Sequence, residues 1–143
     1  MWVQVPPPPP SRGLANKSMK LKLHILPEKF AICYFDKKAP IPDWAKEISF
    51  CSITRTNDEL SIVCPQDKVP GGALCEKNWR AFKVEGPLGF SLTGIVSSLS
   101  KPLADAKISI FYISTYETDY LFVEEANLKK AKEILKKFCE IKE

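Results

Sequence analysis

Trp79-Arg80-Ala81-Phe82-Lys83-Val84-Glu85-Gly86-Pro87 alternates Trp79, Ala81, Lys83 and Glu85 against Arg80, Phe82 and Val84, and Gly86-Pro87 ends the run. This is the pattern of a strand stopped by a turn. Beyond it, Leu92, Ile95, Val96, Leu99, Leu103 and Ala106 recur at helical spacing, with Ser91 placed to cap the first turn and Pro102 expected to kink or divide the helix. Ile108 to Ile113 and Tyr120 to Val123 are β-branched and aromatic strands joined by a polar turn at Ser114 to Thr118. A last stripe, Leu128, Ala131, Ile134, Leu135 and Phe138, marks a lysine-rich helix, followed by a short strand at Cys139 to Lys142. Residues 79–142 therefore run strand, helix, strand, strand, helix, strand, the ferredoxin-like βαββαβ order of an α+β fold.

Upstream the runs are strand-like and the helices short. Lys20 to Leu26 and Phe30 to Phe35 flank Pro27 and suggest a hairpin. Asp43 is placed to cap a short helical turn carrying Trp44, Ile48 to Thr54 and Glu59 to Cys64 are further strands, and Pro65 to Lys77 is a connection. Residues 19–70 are thus expected to form an abbreviated, strand-rich half-copy that extends or packs onto the unit formed by residues 71–143. Residues 1–18, with Pro6 to Pro10, are expected to be a disordered or polyproline extension, and Met19 to be the natural start.

Composition narrows the function. The chain has 143 residues and a formal charge of +4, all of it accounted for by Arg12, Lys17, Lys20 and Lys22, so the folded part is neutral. A surface built for nucleic acid concentrates cations, which argues against a nucleic-acid partner. No apolar run is long enough to cross a membrane. Five cysteines without a C-x-x-C pair, and a single histidine, His24, predict no metal site and reduced structural thiols in a cytoplasmic protein. No P-loop, dinucleotide or H-E-x-x-H motif is present, so no cofactor and no catalytic group are assigned. A hydrolase would need an anion-gripping arginine in a cradle, which Asn78 and Arg80 do not build.

Two polar segments remain. Gly86-Pro87-Leu88-Gly89-Phe90-Ser91-Leu92-Thr93-Gly94 leads from a strand into a helix start, where backbone N–H groups can receive a carboxylate. Ser114-Thr115-Tyr116-Glu117-Thr118-Asp119 is a hairpin that the fold places at the rim beside that turn.

These two segments, together with Ser52-Ile53-Thr54-Arg55-Thr56, Asp58-Glu59-Leu60-Ser61-Ile62-Val63-Cys64 and Trp79-Arg80, resemble the ACT-domain family, of the small tandem type related to the cytosolic arginine sensors. The resemblance runs from Lys20 to Ile141. It implies two ACT-like units packed side by side, without catalysis, binding a small ligand, usually an amino acid, where two units meet. Carried onto this sequence, Gly86, Pro87, Leu88, Phe90, Ser91 and Thr93 are the ligand-facing turn, and Ser114, Thr115, Tyr116 and Asp119 belong to the hairpin that closes over it. The chain departs at Gly89, where many relatives have an aspartate. The units that meet are the two halves of one chain or those of a homodimer. An RNA-binding sheet, with Phe111, Tyr112 and Tyr120 stacking bases, is the alternative offered by the same strand order.

Overall fold

The computed structural model describes residues 21–86 and 94–143. Expectations for residues 1–18 fall outside that range. Eight strands, β1 (Leu21–Ile25), β2 (Phe30–Phe35), β3 (Ser52–Arg55), β4 (Leu60–Pro65), β5 (Leu74–Val84), β6 (Ile110–Ser114), β7 (Asp119–Glu124) and β8 (Cys139–Lys142), are joined by helices α1 (Ile95–Asp105) and α2 (Leu128–Leu135). Single 3-10 turns occupy Asp43–Ala45, Gln66–Lys68 and Glu125–Asn127. The strands form one sheet in the order β3-β4-β2-β5-β1-β8, and β7, followed by β6, pairs on the other edge of β5.

The order of elements along the chain after Trp79 is the expected one, and two upstream expectations need correction. β1 and β2 do not form a hairpin. Both run antiparallel to β5, β1 beside Phe82 to Val84 and β2 beside Leu74 to Trp79, so Pro27 interrupts one long path instead of reversing it. β5 itself begins at Leu74, inside the stretch expected to be a connection. Its alternation is hidden because the register against β2 slips between Phe30 and Ile32, which face Trp79 and Glu76.

That slip is a bulge at Asn78, whose φ is +66°. The extra residue moves Cys75 to the same side of the sheet as Phe82 and Val84. Two apolar clusters consequently share one face. One packs Leu23, Phe82, Val84, Leu121 and Val123 under Leu99 and Leu103 of α1 and Ala131 and Leu135 of α2. The other packs Ala31, Cys33, Leu60, Ile62 and Cys64 under Trp44 and Ile48. On the opposite face, Phe30, Val63, Ala81 and Phe122 are buried, with Phe50 laid across them. The second strand path, β2, β3, β4 and the start of β5, with 3-10 turns where helices would stand, makes the N-terminal part an extension of the same sheet.

The helices are shorter than their apolar spacing suggests. Gly94, with φ +77°, is the N-cap of α1, and Ser91, expected to cap its first turn, lies outside the described residues. Pro102 does not divide the helix. Proline removes one backbone donor there, while Leu99 and Leu103 on either side are fully buried and hold the turn. Val96 (45% exposed) and Phe138 (54% exposed) are not core residues. Helix α1 ends in a Schellman motif: Lys107 at φ +60° donates to the Ala104 carbonyl at 2.9 Å, and Ile108 donates to that of Leu103 at 2.9 Å. Asp43 is not a cap. Pro42 holds that position, and Asp43 pairs with Lys46 at 3.0 Å.

Candidate functional site

β5 carries Val84 to the sheet rim, and the Glu85 N–H still bonds the Lys22 carbonyl of β1 at 2.8 Å before the chain bends at exposed Gly86. Of the turn residues singled out, Pro87, Leu88, Phe90, Ser91 and Thr93 lie outside the described residues. The chain is described again at Gly94, whose carbonyl accepts from Ser98 N–H at 2.9 Å and from Ser97 Oγ at 3.1 Å.

The β6–β7 hairpin is a tight, self-bonded turn. Thr115 N–H donates to the Thr118 carbonyl at 2.8 Å, Thr115 Oγ1 donates to the same oxygen at 3.1 Å, and Thr118 N–H donates to Thr115 Oγ1 at 3.3 Å. Ser114 and Asp119 face each other across its mouth. Tyr116 stands 58% exposed at its tip. Thr118 was not singled out in the sequence, yet it is buried and its Oγ1 donates to the Val84 carbonyl. One hydroxyl therefore fastens the hairpin to the end of β5, two residues before Gly86.

Tyr112 is the second residue with an unexpected place. It packs on the helix side of the sheet, and its hydroxyl donates to Asp119 Oδ2 at 2.7 Å. Burial and the Asp119 carboxylate raise the Tyr112 pKa far above its ordinary value. Asp119 thus keeps one oxygen oriented by Tyr112, and among the described residues no hydrogen bond to its other oxygen is found. The position of Tyr112 also corrects the expected base-stacking face: neighbouring strand residues point to opposite sides, so Tyr112 cannot join Phe111 and Tyr120. Phe111 itself stacks on buried Phe122, centroids 4.2 Å apart, and edges against Trp79 at 4.9 Å.

On that opposite face, His24 Nε2 meets Glu85 Oε1 at 3.1 Å, with Lys22 at 3.9 Å and Lys142 at 4.0 Å from the same carboxylate. The hydrogen bond to His24, supported by Lys142 and Lys22, lowers the Glu85 pKa. His24 is a hydrogen-bonding partner in a surface polar group. Arg80 donates to the Leu26 carbonyl at 3.1 Å, and Asn78 is bonded by Gln66, so neither builds an anion cradle. Among the described residues, no group of three His, Cys, Asp or Glu could hold a metal ion, and no helix is long and apolar enough to cross a membrane.

A family model described as the ACT domain matches residues 74–137, and a model of an N-terminal domain matches residues 28–72. A protein from Agrobacterium tumefaciens, known from its crystal structure, is 38% identical with a TM-score of 0.81 over 87% of this chain and 93% of that one. The chain belongs to the ACT-domain family. Another relative is the cytosolic arginine sensor for mTORC1 subunit 1 of Bos taurus, 34% identical over 101 residues. That match takes in 65% of this chain and 31% of the sensor, so the chain spans about a third of this relative's length. Aspartokinase alpha and beta subunits share the fold, with a TM-score of 0.58 at 13% identity over 83% of this chain and 97% of theirs. The ferredoxin-like α+β expectation is met.

Proposed function

We propose that this ACT protein is a non-catalytic regulatory module that binds a free amino acid between the Gly86–Thr93 turn and the β6–β7 hairpin. The observation that carries the reading is the Thr118–Val84 hydrogen bond, which keeps an oriented carboxylate, Asp119, beside the strand end that leads into the turn. Backbone N–H groups around Phe90 to Thr93 receive the ligand's α-carboxylate. The other oxygen of Asp119 receives its ammonium or a basic side chain, and Ser114, Thr115 and Tyr116 line the hairpin side. Each charge-assisted contact is worth about 1.5–3 kcal/mol, so two or three set specificity. Similarity to the bovine arginine sensor favours a basic amino acid.

The seam is between two chains. Strands β2, β3 and β4 of the N-terminal half, residues 19–70, lie towards the Leu74 end of β5, whereas Gly86 follows its other end. That separation supports a second copy as the source of the ACT unit that completes the site, and a ligand shared across such a seam favours the dimer by mass action. Cytoplasmic residence, where free amino acids report nutrient state, belongs to the same proposal. Native mass spectrometry of the gently purified chain tests it: a dimer retaining a small zwitterion supports the reading, and a monomer that never retains or accepts an amino acid overturns it.

A further inference from the structure

Four of the five cysteines, scattered in the sequence, meet in the N-terminal core. Cys33 and Cys64 are buried there, with Cys51 and Cys75 packed against them. Cys33 of β2 and Cys75 of β5 are direct partners across the antiparallel pair, with their Sγ atoms 2.9 Å apart. Opposed residues on antiparallel strands hold their Cα atoms about 4.5–5.5 Å apart, inside the window of about 4.4–6.8 Å that a disulfide spans. Cys64 lies opposite Ala31 and is therefore diagonal to Cys33. Diagonal neighbours in such a pair stand about 7–8 Å apart, beyond that window, so although the Cys64 thiol is within reach of that of Cys33, only Cys75 faces Cys33 directly. Cys33 is 1% exposed, whereas Cys75 is only half-buried. β7 pairs with residues 79–83 of β5 and stops short of Cys75, so that stretch of β5 has no strand from β7 beside it.

We propose that Cys33 and Cys75 are a reversible dithiol–disulfide pair, with Cys75 the thiol that meets the oxidant, a hydroperoxide. The Cys75 thiolate attacks one peroxide oxygen; the S–O bond forms, the O–O bond breaks, and the other oxygen leaves after protonation, as water from hydrogen peroxide or as the alcohol from an organic hydroperoxide. Cys33 sulfur then attacks the Cys75 sulfur of the sulfenic acid. The S–S bond forms, the S–O bond breaks, and the hydroxyl leaves as water with the Cys33 proton. Two thiols are oxidised and one peroxide is reduced. The greater exposure of Cys75 assigns it the first step, and Cys33, buried and with its pKa raised by that burial and by its neighbour, is the resolving thiol. The bond would staple β2 to β5 just ahead of the Asn78 bulge, making the N-terminal half more rigid without touching the Gly86 turn.

The experiment is peptide mapping of the full chain after hydrogen peroxide, with free thiols alkylated under denaturing conditions. A linked Cys33–Cys75 peptide pair, about 2 Da lighter than the two reduced peptides and released by dithiothreitol, is expected. The oxidised chain should also melt at a higher temperature. Cys33→Ser should leave a sulfenic acid on Cys75 that dimedone traps. Because Cys33 is buried, Cys75→Ser serves as the second variant, and it should fold and leave Cys33 fully alkylated. Complete alkylation of both thiols in the treated wild-type chain overturns the proposal, as does a bridge that joins Cys33 to Cys64 or Cys51.

Discussion

Thr118 Oγ1 donates to the Val84 carbonyl, joining the entry of β7 to the exit of β5 through one buried hydroxyl. The strand ladder does not use that carbonyl against β7, whose last register partner on β5 is Lys83 with Tyr120. Without Thr118 the Val84 oxygen would be an unmet acceptor at the rim of the core.

Thr118→Val keeps the shape and removes the donor. It should cost about 1–3 kcal/mol in urea unfolding, and Thr118→Ser should recover most of that loss. Equal stability of the valine and wild-type chains would show that the bond contributes nothing.

The bulge makes a second prediction. Gln66 Oε1 accepts from the Asn78 N–H at 2.7 Å and Gln66 Nε2 donates to Asn78 Oδ1 at 3.2 Å, so one side chain satisfies the bulged residue twice. Gln66→Ala should cost about 1 kcal/mol, and Asn78→Val, forced into a left-handed conformation, about 1–2 kcal/mol. Thermal or urea unfolding of both variants checks this.

Lys107 occupies the left-handed position of a helix end at which glycine carries no Cβ penalty. Lys107→Gly should raise stability by about 1 kcal/mol, read from the urea midpoint at unchanged slope.

Tyr112 titrates above its ordinary value because burial and Asp119 favour its neutral form. A group raised in the fold stabilises it below the unfolded pKa, near 10, and loses that contribution as pH rises further. Tyr112→Phe should therefore cost about 1 kcal/mol at neutral pH, and the gap to wild type should shrink above about pH 10. Urea titrations at the two pH values measure the gap.

Much of this was legible in the sequence because periodicity reports burial. The C-terminal order emerged from Phe82 and Val84, Leu99 and Leu103, and Leu121 and Val123, which bury one shared face. The start of β5 was not legible: Cys75-Glu76-Lys77 is polar, and the bulge at Asn78 shifts alternation by one residue. Pairing was hidden too. Pro27 looks the same in a hairpin and in a bend along one strand path. At the candidate site, the polar run Ser114 to Asp119 announced a hairpin, while the roles of Thr118 and Tyr112 depend on register, which places Tyr112 diagonal to Asp119.

Calorimetric titration of the full chain with the twenty amino acids tests the central claim most directly. The account predicts saturable binding of one or a few amino acids, a basic one foremost, with affinity for the basic ligand reduced at least tenfold in Asp119→Ala, a variant that should also lose about 1 kcal/mol of stability with the Tyr112 hydrogen bond. No heat of binding with any of the twenty, or a binding constant indifferent to Asp119, would contradict it.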